Sequence, residues 1–210
     1  MATNSSALIA FPTAILALAA LASCGEKGGN SGGSDASGEA VAVSPDMLFA
    51  DNFRGVCSGA GVSAATAFDP AGKAHKALYF TTYKDDLTDR SSSLPGDWTV
   101  QWSPDGDALK AIDLVVCAKR TAAQQVKVCD GYRNHGNPTQ NRVRWHTATY
   151  ELSVREARTG RQLAQTSVEA SSTDCPMFQT FHDDTETVDG YANLSDTAVA
   201  DFLRPHITGR

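Results

Sequence analysis

Two acidic clusters carry the most direct chemistry in this sequence. His182, Asp183 and Asp184 with Glu186, and Asp85 and Asp86 with Asp89, each gather several side-chain oxygens within a few residues. Oxygen-rich loops suit calcium, and His182 joined by His135 or His146 would suit a transition metal. Neither cluster has the ordered alternation of an EF-hand loop, so solvated charged loops are the plainer expectation. Trp98 and Trp102, in a polar, turn-rich stretch, offer a second kind of site. Paired exposed indoles form a platform for a sugar or peptide, although tryptophans more often pack in a core or at a sheet edge. His75 and His206 stand alone and read as surface or packed residues.

Nucleophilic chemistry has little support. Gly61-Val62-Ser63-Ala64-Ala65 lacks the second glycine of a serine-hydrolase elbow, no serine precedes a lysine by three, and no H-E-x-x-H occurs. Gly59-Ala60-Gly61-Val62-Ser63-Ala64 matches G-x-G-x-x-A, but no strong strand precedes it and Pro70 stops any helix after it. It reads as a turn around Cys57. No catalytic residue is assigned and no cofactor is called for.

The amino-terminal stretch bears on location. Residues 7–22 form an apolar run broken at Pro12 and Thr13, too short for a comfortable bilayer span and suited to a signal core. It ends in Leu21-Ala22-Ser23-Cys24, which resembles the lipobox of bacterial lipoproteins, although no Lys or Arg precedes the run. The resemblance implies that residues 1–23 are a signal peptide and that Cys24 is cut free and acylated, palmitate included. It also implies export to the cell envelope. Gly25 after the cysteine resembles lipoproteins passed to an outer membrane, where the organism has one; otherwise the cell surface is implied. Residues 24–41 then read as a tether, because GEKGGNSGGSDASGE from Gly25 has nothing to bury and behaves as a flexible coil. Fifteen such residues reach on the order of 20 Å.

Setting the anchor aside leaves Cys57, Cys117, Cys129 and Cys175, with no C-x-x-C spacing. In an exported chain, four such cysteines form two disulfides. Three connectivities are open. The pairing of Cys117 with Cys129, in two strand-like runs, and of Cys57 with Cys175 is favoured.

The elements that must position these groups occupy residues 42–210, one domain with a formal charge of −6 for the whole chain. That acidity argues against nucleic acid and against electrostatic adhesion to anionic lipid, so membrane association rests on the covalent anchor. Ala77–Tyr83 reads as a strand, and the polar stretch from Lys84 to Asp107 as a loop. Ile112–Ala118 is apolar enough for a central strand covered on both faces, and Val126–Cys129 reads as its antiparallel neighbour. His146, Ala148, Tyr150, Leu152 and Val154 alternate with Trp145, Thr147, Thr149, Glu151, Ser153 and Arg155, the period of a long strand with one buried side. Ala157–Arg161 turns with Gly160 at positive φ as in a G1-bulge hairpin, Leu163–Ala170 returns, and Pro176–Phe181 adds a further strand. Ser195 caps a closing helix lined by Leu194, Ala198, Val199, Phe202 and Leu203, which Pro205 ends. The turn and closing helix together resemble bacterial exported domains.

The predicted fold class is α+β: a mainly antiparallel sheet of five or six strands, a carboxy-terminal helix and two disulfides. The functional expectation is a lipid-anchored extracytoplasmic binding or interaction module whose partner is an envelope protein or glycan. The alternatives are an envelope hydrolase working through loop carboxylates and His182, or a structural accessory of an envelope complex.

Overall fold

The computed structural model describes residues 47–209 apart from 73, 102, 104, 105, 183 and 184. Cys24, Trp102, Asp183 and Asp184, and with them the signal and tether assignments, lie outside the described residues. A 3-10 helix (Ala50–Ser58) opens the domain, followed by β1 (Ala77–Tyr83), β2 (Asp86–Asp89), β3 (Leu114–Cys129), β4 (Arg133–Asn134), β5 (Asn137–Pro138), β6 (Arg142–Glu156), β7 (Gln162–Ala170), β8 (Thr187–Tyr191) and α1 (Asp196–Ile207). Six strands form one sheet in the order β2-β1-β3-β6-β7, with β8 also on β6, while β4 and β5 make a separate small hairpin. Among the described residues no helix is long and apolar enough to cross a membrane.

The sheet is mixed rather than mainly antiparallel. β1 runs parallel to β3 and β8 runs parallel to β6, whereas β1–β2, β3–β6 and β6–β7 are antiparallel. The largest departure from expectation is β3 itself. The runs read at 112–118 and 126–129 are not two neighbouring strands: Leu114–Ala118 and Val126–Cys129 are opposite ends of one 16-residue strand. The stretch between them carries no apolar pattern because residues 121–126 are exposed, and two bulges, at Thr121 and Val126, break its register with β6.

The central end of β3 is covered on both faces, as its unbroken apolar run requires. Leu114, Val116 and Ala118 join Tyr150, Leu152, Val154 and Leu203 of α1 in one core; Val115 and Cys117 join Phe53, Val56 and Cys57 of the 3-10 helix in the other. β6 keeps the expected period from Ala148 to Val154. Its phase slips at His146–Thr147, so Trp145 and Val143 turn into the core and His146 is left half-buried. There β6 exchanges β8 for β7 as its neighbour, opposite the bulge at Val126.

The cysteines pair as Cys57 with Cys117 and Cys129 with Cys175, with Cα atoms 5.6 and 5.8 Å apart. This corrects the favoured pairing. Cys117 and Cys129 lie on one continuous strand, roughly 40 Å apart at about 3.3 Å per residue, so no bridge can join them. Pro176–Phe181 is not a strand, and part of the stretch after Lys84 is, since β2 closes a hairpin on β1. Ser195 caps α1 as expected, its Oγ accepting from Ala198 N at 3.1 Å. Pro205 does not end the helix, which continues to Ile207 while Leu203 and Ile207 bury their side chains.

Gly160 sits at φ +72° in the β6–β7 turn, where a Cβ would stand 2.2 Å from Gly59 O. Gly61 meets the same turn, a Cβ there falling 2.3 Å from Arg158 O, and Val62 N donates to Ala157 O. The G-x-G pattern is therefore a close-packed seam of main chain against main chain, with Gly59 capping the 3-10 helix.

Candidate functional site

At its far end β3 delivers Cys129, and the bridge to Cys175 draws the segment that follows β7 alongside the β4–β5 hairpin. The hairpin turns on His135 and Gly136, both at positive φ, the type I′ geometry that matches strand twist. Tyr132 joins the two pieces. Its hydroxyl donates to Pro176 O at 3.1 Å, and its ring meets Phe181 edge to face with centroids 5.3 Å apart. Burial pushes the Tyr132 phenol above its ordinary pKa, so it stays protonated and keeps that bond. Between the hairpin and the segment runs a groove of about 970 Å³, lined by Tyr83, Tyr132, Arg133, Asn141 and Phe181 among others.

Two features set this groove apart from ordinary surface. Met177 and Phe178, at its rim, are 85% and 88% exposed. Among the described residues, the main-chain N–H groups of Met177 to Phe181 find no acceptor. A short ribbon of free donors therefore lies beside aromatic walls, held by a covalent bridge at one end.

A smaller recess of about 160 Å³ shares Tyr83, Pro176 and Gln179 with the groove. At its back the Arg120 guanidinium lies 3.6 Å from the Tyr191 ring centroid and also donates to Lys84 O. His146 stacks on Tyr191 at 5.0 Å. Asp189 accepts from Arg144 twice, at 2.8 and 2.7 Å, and this pairing holds the guanidinium pKa above its usual value. Gly190 lets β8 pass here, since a Cβ would fall 2.8 Å from the Trp145 ring. The stack is largely self-satisfied and serves as a rigid back wall.

The described residues among those singled out from sequence are placed as follows. Trp98 is 6% exposed, its ring 5.1 Å from the Arg204 guanidinium carbon, and presents no platform. Its indole is spent on the core beside α1, the commoner use of tryptophan. His182 is exposed and its carbonyl accepts from Thr185 N. Among the described residues no three His, Cys, Asp or Glu side chains gather to hold a metal. Asp85 sits in the β1–β2 turn and Asp86 opens β2 opposite Tyr83, while Asp89 is occupied by Ser91, accepting from its N at 2.8 Å and its Oγ at 2.5 Å. His135 sits in the hairpin turn and His146 in the Tyr191 stack.

One pairing had no signal in the sequence. His75 Nδ1 lies 2.5 Å from Asp113 Oδ2, with the ring 3% exposed and Nε2 without a partner among the described residues. Asp113 Oδ1 also accepts from Lys76 N. This carboxylate–imidazole pair has the elements of a general base, but the ring is enclosed by Phe68 and the Gly72 main chain. It works as a clasp between the 66–76 loop and the start of β3. Tyr132 and Phe181, the groove's own aromatics, were equally silent in sequence, because 46 residues separate the cysteines that bring them together. No family model, curated protein or solved structure matches this chain.

Proposed function

We propose that this chain is an exported binding module, acylated at Cys24 and carried on a Gly/Ser-rich tether, whose groove beside Tyr132 takes an extended segment of an envelope protein. The observation that carries the reading is the ribbon of free N–H donors from Met177 to Phe181 beside the Tyr132 and Phe181 rings. Extended polypeptides dock on exposed main chain in this way, drawing affinity from backbone hydrogen bonds and specificity from side-chain pockets. A glycan would satisfy donors one hydroxyl at a time and would favour a flat exposed ring, which Trp98 does not offer. The two bridges fit an oxidising compartment, and the lipobox resemblance supplies the route to one.

Affinity capture from intact envelopes tests the reading. One protein is expected to be retained by the full chain and lost with Tyr132→Ala. A synthetic peptide from that protein should bind about tenfold more weakly to the variant, the loss of one well-packed aromatic contact. Capture of a polysaccharide alone, or hydrolytic turnover with no retained partner, would replace the proposal. Labelled palmitate should enter the wild-type chain and not Cys24→Ala.

A further inference from the structure

We infer that Met177 and Phe178 are a second membrane contact, which lays the mouth of the groove on the lipid surface. The inference rests on the proposed acylation of Cys24. The two side chains are adjacent, 85% and 88% exposed, and follow Cys175 and Pro176, both tied to the domain by the Cys129 bridge and the Tyr132 hydroxyl. A protein that folds to bury apolar surface leaves few such pairs free, and a tip anchored at Cys175 and Pro176 and carrying Met and Phe fits the boundary between headgroups and acyl chains.

The chain between the anchor and the domain decides the occupant. The proposed tether, residues 24–41, would have an r.m.s. span of roughly 23 Å as a Gly/Ser-rich coil and at most about 60 Å when extended. A domain of this size has a diameter of about 40 Å, so the tether lets any face reach the bilayer. Burying one Met and one Phe side chain gives an affinity in the millimolar range or somewhat tighter. A free domain would not stay bound at that strength. A tethered one is held at an effective concentration on the order of millimolar, where the contact is about half populated.

Charge does not oppose the pose. Arg133 and Lys84 stand near the groove and recess, and Lys127 reaches across to Thr173 O. Arg120, Asp130, Asp174 and Asp189 stand with them, so among the described residues lining the groove and its neighbouring recesses acid and base are near balance, which suits a zwitterionic headgroup layer. The segment taken by the groove would then be the membrane-proximal part of its partner, running along the surface the tip touches.

The test uses full-length acylated Phe178→Trp in phosphatidylcholine vesicles with brominated acyl chains. Quenching of about half the added fluorescence is expected, matching a half-populated contact. In a second arm, Cys24→Ala/Phe178→Trp carrying an amino-terminal His tag is held on nickel-chelating lipid in the same vesicles, and the same quenching is expected. Failure of the acylated protein to float with vesicles would defeat the anchor reading alone, because the second arm still decides the tip. No quenching beyond that of the parent chain in the second arm would overturn the inference. A residue-178 signal that ignores lipid but moves with a groove-bound peptide would give the tip to the partner instead.

Discussion

Cys117 and Cys129 share one strand and reach in different directions, the first to Cys57 in the 3-10 helix and the second to Cys175 beside the groove. The first bridge sews a covering helix to the sheet; the second positions a surface segment. Each closes a loop long enough to contribute about 4 kcal/mol on the chain-entropy model.

Removing the bridges should therefore give different losses. Cys57→Ala/Cys117→Ala is expected to lower global stability by about 2–5 kcal/mol in denaturant unfolding. Cys129→Ser/Cys175→Ser should also free residues 175–181 from the hairpin, seen as random-coil NMR shifts for Met177 to Phe181, and abolish partner binding, with β3 and β6 still protected against exchange in the native state. Non-reducing peptide maps should show only the two native linkages.

Two glycines with similar φ should respond differently. Gly131→Ala meets open space at φ +79° and should cost about 1 kcal/mol, the left-handed penalty alone. Gly160→Ala adds a Cβ 2.2 Å from Gly59 O, so two main-chain segments must part, and about 3 kcal/mol or more is expected. Equal costs from chemical denaturation would remove the seam from the explanation.

Glu156 makes stability depend on pH in a known direction. The hydrogen bond from Arg161 holds its carboxyl below the ordinary value of 4.5, against a smaller opposing effect of burial, and the Thr159 hydroxyl donates at 2.5 Å. A lowered folded-state pKa gives stability that is present above the unfolded value and lost as pH falls through the folded one. Glu156→Gln should lower Tm by about 2–4 °C at pH 7, and the gap should close as pH drops below about 4. A gap that widens in acid would reverse the sign.

Among the described residues, the outer part of β3, residues 121–128, pairs only with β6, and Val126 and Val128 are exposed on it. Its bulges fit the protection of an open edge. Deleting Val126 should straighten that edge and raise concentration-dependent association, seen by sedimentation, with little change in far-ultraviolet circular dichroism.

Much of this architecture was legible where local pattern and tertiary context agree. The alternation from Ala148 to Val154, the Gly160 turn, the return strand and the Ser195 cap all follow from period and capping chemistry. The continuity of β3 was hidden, because Lys119 to Gln125 has neither a run nor an alternation, and that gap produced the wrong cysteine pairing. β8 was silent as well: Thr187–Tyr191 carries Asp189 and Gly190, poor strand formers, and pairs because Asp189 meets Arg144 and Gly190 clears Trp145. The groove was illegible for a related reason. Pro176–Phe181 has the composition of a strand, yet it lies on the surface with its N–H groups unspent.

The most direct test places a photoreactive amino acid at Asn141, on the groove wall, in the full chain in living cells. Irradiation should give an adduct to a single contiguous stretch of one envelope protein, mapped by mass spectrometry and lost in Cys129→Ser/Cys175→Ser. Adducts scattered over many proteins, or one that persists when the bridge is gone, would contradict a binding groove at this site.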